Sequence, residues 1–181
     1  MRHVVFALLA GLPLIAQGTP RFDIPGEDRG VQYHFQLRAS KAGSALRDQV
    51  GNQIAGGGGF MALFGEEPLR VRVRMDGDNF PSQDGRQRVQ TEGLGVEAFL
   101  FFTDGDAITP YLSVGPAFQR WEIGGGDYPG QAPRSLNKLA GRAETGVWFK
   151  ERVGASIGVL FGSIDTGRKA ASPYLAITFR F

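Results

Sequence analysis

The chain has 181 residues and a formal charge of +2, which is one domain's worth of sequence with too small a cationic excess to point to a nucleic-acid partner. It contains no cysteine, so disulfides and thiolate metal sites are excluded. Hydrophobic residues make up 42%, Gly stands at 27 and mean hydropathy is slightly negative, a mixture that suits strands with one apolar and one polar face rather than a bundle of membrane helices.

The first 18 residues, MRHVVFALLAGLPLIAQG, have a short basic start, an apolar stretch from Val4 to Ile15, and then small residues. Ala16 and Gly18 stand at the −3 and −1 positions of a cut after Gly18, the pattern of a secretory signal peptide. A membrane span needs about 20 apolar residues, and this stretch is shorter and broken by Gly11 and Pro13. The expectation is a signal peptide over 1–18, a short periplasmic segment over 19–29, and a barrel over 30–181.

From residue 30 onward the sequence alternates with period two in eight stretches. The first, GVQYHFQLRA, sets Val31, Tyr33, Phe35 and Leu37 against Gln32, His34, Gln36 and Arg38. The second lies within IAGGGGFMALFG, whose four glycines define no face. The third, LRVRVRMD, alternates Leu69, Val71, Val73 and Met75 with Arg70, Arg72, Arg74 and Asp76. The fourth, LGVEAFLFF, carries Leu94, Val96, Ala98, Leu100 and Phe102 on one face, with Glu97 opposite. The fifth, YLSVGPAFQRW, puts Leu112, Val114 and Phe118 together. The sixth, LAGRAETGVWF, sets Leu139, Ala143, Val147 and Phe149 against Arg142, Glu144 and Trp148. The seventh, VGASIGVLF, alternates Val153, Ala155, Ile157, Val159 and Phe161 with mostly Gly and Ser. The eighth, ASPYLAITFRF, carries Leu175, Ile177, Phe179 and Phe181 on one face.

The links between these stretches alternate in length. GEEP, TDGDAITP (with Asp104-Gly105 as turn signal) and KE are short; SKAGSALRDQVGNQ, GDNFPSQDGRQ, EIGGGDYPGQAPRS and DTGRKAASP are longer. In an up-and-down barrel this parity gathers the long links at one end, and the short links with both termini at the other, the arrangement of outer-membrane barrels. The predicted fold is all-β, an eight-stranded antiparallel up-and-down transmembrane barrel with its apolar faces toward lipid. A soluble lipocalin-like barrel binding an apolar ligand would have the reverse facing and is the alternative architecture.

These features resemble the small eight-stranded outer-membrane barrels of the OmpA-domain and OmpX type, over roughly residues 30–181. In that family the last strand ends in Phe with apolar residues at alternate positions before it, and the barrel-assembly machinery reads it. The resemblance implies that Tyr174, Leu175, Ile177, Phe179 and Phe181 form such a C-terminal assembly signal. It implies residence in the cell outer membrane, contact with outer-membrane lipid, a structural or interaction role as a monomer, and no catalysis. A narrow channel or small-solute transporter is the alternative function.

The sharpest chemical feature is the inward face of the third strand. Arg70, Arg72 and Arg74 need carboxylates close by, and Asp76, Glu97 and Glu144 are the inward candidates, with Arg38, Arg142 and Arg180 adding positive charge. An interior charge network of Arg70, Arg72, Arg74, Asp76, Glu97, Arg142 and Glu144 reads as a plug rather than an anion path, because eight strands enclose little more than their own side chains. His34 is the one His beyond the signal stretch and has no Ser or acidic motif beside it, so no catalytic residue is assigned. The runs AGGGGF and GGGD lack a Lys-Ser/Thr continuation, and DGDN at Asp76–Asn79 lacks a Glu at its twelfth position, Gln87; no cofactor or metal is assigned. Phe102, Trp121, Tyr128, Trp148 and Phe149 fall near strand ends, either in an aromatic girdle or packed inside. The loop from Gly124 to Ser135 is the leading candidate for external contact.

Overall fold

The computed structural model describes residues 31–66, 68–81, 88–102, 107–124, 134–150, 152–165 and 168–181. The signal stretch, the 19–29 segment, Asp104-Gly105, Gln87, Tyr128 and most of the Gly124–Ser135 loop lie outside them. Eight strands follow one another in the chain: β1 (Gln32–Lys41), β2 (Ile54–Phe64), β3 (Leu69–Phe80), β4 (Val89–Phe101), β5 (Ile108–Ile123), β6 (Arg134–Phe149), β7 (Val153–Asp165) and β8 (Arg168–Arg180). Each pairs antiparallel with its sequence neighbours, and β8 returns to β1, so the sheet closes into a barrel with no crossover.

The register fixes the shape. From Arg38 the pairing passes through Gly57, Asp78, Thr91 and Trp121 to Leu136; in the other direction it passes through Ala176 and Ser156 to Gly146. The two arrivals on β6 are ten residues apart, a stagger that tilts the strands by roughly 40° from the barrel axis. With that tilt, outward and inward residues separate cleanly. On β5, the outward residues from Ile108 through Leu112, Val114 and Phe118 form an apolar row that ends at Arg120. Ten residue steps at about 3.3 Å, tilted by roughly 40°, span about 25 Å, the height of a lipid-facing band.

The whole outer wall repeats this pattern. Leu69, Met75, Leu94, Leu139, Ile157, Leu175 and Ile177 are all at least half exposed, while Arg72, Arg74, Glu97, Arg142 and Glu144 on the alternate positions are buried. Apolar outside and charged inside is the inverse of a lipocalin-like barrel, and an outer wall of this kind is stable only in lipid. Phe64, Phe102, Phe149, Phe179 and Phe181 are exposed near the short-link end and form an aromatic girdle there. Trp121 and Trp148 are not part of a girdle; both are buried in the lumen.

The first and seventh links depart from the pattern expected from the sequence. The seventh link is not long: β7 and β8 continue outward to Asp165 and Arg168, leaving 166–167 as the connection. The first long link is not a plain loop. It holds a helix, α1 (Ser44–Val50), whose Leu46 and Val50 are fully buried at the long-link mouth. A seven-residue helix has no stability of its own; these two contacts, with the bridges Gly43–Ala171 and Ser44–Ala170, hold it in place.

Glycine makes room for large inward side chains. A Cβ on Gly158 would meet the ring of Tyr174, its partner across β7–β8, at 2.3 Å, and one on Gly154 would meet Trp148 at 3.2 Å. The aromatic ring takes the space over the bare backbone, which pins the register of both strand pairs.

Val114 faces outward near the middle of the band and is 53% exposed. Val114→Arg is expected to destabilise the barrel by about 2–4 kcal/mol, and Val114→Leu by little, in denaturant unfolding from lipid vesicles.

Candidate functional site

Among the described residues chemistry-bearing side chains converge in the lumen, and alternation puts them there. Arg72, Arg74, Asp76 and Asp78 are successive inward residues of β3. Arg38 comes from β1, Glu97 from β4, and Arg142 and Glu144 from β6. All eight are buried, and four guanidiniums against four carboxylates give a formal charge of zero.

Asp76 is the hub. Its Oδ2 lies 2.6 Å from Arg38 Nη1, 2.8 Å from Arg74 Nε and 2.8 Å from Arg142 Nη1. Its Oδ1 accepts from Arg142 Nη2 at 3.0 Å. Arg38 also donates from Nε to Asp78 Oδ1 at 2.6 Å, so one guanidinium spans both carboxylates.

Nearer the short-link end, Arg72 bridges Glu97 and Glu144. It donates to Glu97 through Nε at 2.8 Å and through Nη2, and to Glu144 through Nη1 at 2.8 Å. Glu144 further accepts from Tyr111 at 2.9 Å, from Tyr174 at 2.7 Å and from Arg74 at 3.2 Å. Ser113 donates to Glu97 at 3.1 Å, and Gln36 joins Arg74, Glu144 and Thr178. Arg74 touches Asp76, Glu97 and Glu144, which makes the group one connected network. A buried charge is tolerated only when it is paired and its remaining polar atoms are bonded, and this arrangement meets that condition at Asp76 and Glu144.

Apolar layers close the lumen above and below. Toward the short links, Leu63, Phe99, Phe101, Tyr111 and Trp148 pack together, with Tyr111 stacked on Phe99 at 4.4 Å and the His34 ring 4.8 Å from Trp148. Toward the long links, Leu46 and Val50 of α1 pack with Phe80, Val89, Trp121 and Ile123.

Of the residues expected in the interior network, Arg72, Arg74, Asp76, Glu97, Arg142 and Glu144 meet in it. Arg70 lies nearer the short-link rim, partly exposed, with its guanidinium 5.7 Å from the ring centroid of Phe101. Arg38 sits at the heart of the network rather than supplying surplus charge. DGDN reads from the sequence as part of an external loop beyond a third strand that stops at Asp76; β3 runs on to Phe80, so Asp78 faces inward beside Asp76. Gln36, Tyr111 and Ser113 carry no signal beyond lying on the polar side of their strands, and Tyr174, expected in the C-terminal assembly signal, reaches Glu144 in the lumen. Leu175, Ile177 and Phe179 face outward on β8, with Tyr174 on the opposite face, and Phe181 just beyond the strand is exposed. The strand ends at Arg180, and Phe181 N–H donates to the Tyr33 carbonyl at 3.3 Å. Among the described residues no group of His, Asp and Glu could hold a metal ion.

No protein-family model and no curated relative matches the chain. Solved structures do. Neisserial surface protein A superposes with a TM-score of 0.62 at 16% identity, over 84% of this chain and 97% of that one. The fold is that of the small eight-stranded outer-membrane barrels. The N-terminal barrel domain of Pseudomonas aeruginosa OprF matches with a TM-score of 0.53 at 13% identity, over 84% of this chain and 98% of that one. Ail, the attachment invasion locus protein of Yersinia pestis, matches with a TM-score of 0.52 at 13% identity, over 83% and 97%. At such identities the likeness is one of architecture, carried by strand number and closure.

Removing the hub leaves three guanidiniums without their shared carboxylate. Asp76→Ala is expected to destabilise the folded barrel by about 3–5 kcal/mol, measured by denaturant titration in vesicles. A matching loss for the exposed Glu122→Ala would show that burial and pairing are not what matters.

Proposed function

We propose that this chain is a resident of the outer membrane of a Gram-negative-type cell, with a sealed lumen and a structural and interaction role exercised through its external end. The observation that carries this reading is the layered lumen: a neutral ion network in the middle and an apolar plug at each mouth. An ion crossing it would have to displace paired guanidiniums and carboxylates that have no solvent to turn to. That argues against the channel alternative. His34 is 2% exposed and packed on Trp148, which supports a packing role for it rather than catalysis. With lumen and lipid-facing wall both occupied, contact falls to the long-link end, where α1 and the strand tops stand beyond the apolar band. The attachment role named for Ail is in keeping with that.

Leu175, Ile177, Phe179 and Phe181 supply the alternating outward apolar row of an assembly signal. In this reading the barrel-assembly machinery engages that row, and the finished barrel stands as a monomer in outer-membrane lipid.

Two measurements test the proposal. Purified protein in planar bilayers is expected to show no steady conductance; a stable anion-selective pore would overturn the sealed lumen. Phe181→Ala is expected to lower the yield of heat-modifiable protein in the outer-membrane fraction, and unchanged yield would remove the assembly role from the last strand.

A further inference from the structure

The outer wall is not filled evenly. On β2, Ala62 stands between Phe60 and Phe64, a methyl group between two exposed rings. The ladders set Ala62 beside Tyr33 of β1 and Val73 of β3, both half-buried. Two residues along these strands, Phe60 pairs with Met75, and Met75 with Leu94 of β4. Phe60, Met75 and Leu94 are each about half exposed or more. The low row and the high row line a groove of about 220 Å³. Phe181 lines it at the short-link end, where its N–H is held by the Tyr33 carbonyl. The groove thus starts at the aromatic girdle, climbs the apolar band and opens onto hydrocarbon.

Hydrocarbon narrows the choice of occupant. No hydrophobic force draws a partner to a wall already in lipid, so association there rests on van der Waals packing. A chain lying on a flat stretch of wall meets protein along one side. In the groove it meets Ala62 beneath it and the side chains of Phe60 and Met75 beside it, and such contacts, individually tiny, are collectively large. The volume is below the roughly 300–1,000 Å³ of sites that enclose a whole small molecule, and it fits a length of single flexible chain. A transmembrane helix, about 10 Å across, is too broad to enter. A second copy docking here about a two-fold axis would set groove against groove and fill neither.

We propose that this groove holds one acyl chain of a phospholipid from the periplasmic leaflet. The proposal rests on the outer-membrane reading above, which makes the short-link end the periplasmic one.

The test uses the protein in nanodiscs of phosphatidylethanolamine and phosphatidylglycerol, doped with a phosphatidylethanolamine that carries a diazirine midway along one acyl chain. After irradiation, adducts are expected to be at least about fivefold denser on Phe60, Ala62, Val73 and Met75 than on Val114, Ile157 and Ile177, which face outward elsewhere around the band. Ala62→Phe fills the groove with a ring and is expected to bring Phe60 and Met75 down to the level of those controls. It is also expected to remove a phospholipid that stays on the wild-type barrel in native mass spectra of protein extracted from outer membranes. Ala155→Phe, at an exposed position on β7, is expected to change neither result. Heat-modifiable migration reports the folding of both variants, and the wild-type labelling decides the matter even where Ala62→Phe does not fold. Even labelling around the band overturns the proposal, as does dense labelling of Phe60 and Met75 that survives Ala62→Phe, or retained lipid that proves to be lipopolysaccharide. Absence of labelling at every outward position would instead bring down the membrane-barrel reading itself, and this proposal with it.

Discussion

Everything in this barrel depends on one exclusion: a charged group cannot face hydrocarbon. Three arginines at every second position of one strand must then all turn inward, and their neighbours must all turn out. That single choice of face on β3 sets the face of β2 and β4 through the ladder, and so on around the closed sheet. Once inside, the arginines meet the second half of the constraint. Eight strands enclose too little space for bulk water, so the charges have to be met by other side chains. Asp76, Glu97 and Glu144 meet them from β3, β4 and β6.

The network therefore joins strands that share no ladder. Arg38 on β1 and Arg142 on β6 both reach Asp76 on β3, and Tyr174 on β8 reaches Glu144 on β6. These contacts cross the lumen, where backbone pairing cannot act. Backbone pairing alone would permit a slipped register, whereas a slip of one residue on any of these strands would send its charged row into lipid. Specificity, more than net stabilisation, is the return on burying so much charge: the pairing offsets a desolvation penalty that an apolar filling would never incur.

Much of this was legible in the sequence because period-two alternation is a strong signal when the two faces differ as sharply as Arg and Val do on β3. Where the faces did not differ, the signal faded. β2 is glycine-rich, and its extent comes from its ladders to β1 and β3 rather than from its own residues. The upper parts of β3, β6, β7 and β8 carry Gly, Asp, Asn and Ser, which read as loops, yet adjacent strands recruit them into the sheet. For the same reason the sequence pattern does not mark Asp78 as a partner for Arg38. The helix α1 rests on two buried residues, Leu46 and Val50, four apart, too little periodicity to stand out from a polar link.

The places where local sequence misled are those that rise above the membrane. Within the band, lipid enforces alternation, so propensity and environment agree residue by residue. Above it, water accepts either face and either conformation, and strand extension depends on a neighbour already in place. That is why β5 and β6 can rise together past Arg120 and Asn137 while β7 turns aside at Ser163. The same freedom that hides these segments from a periodicity argument leaves them able to differ from one another in height.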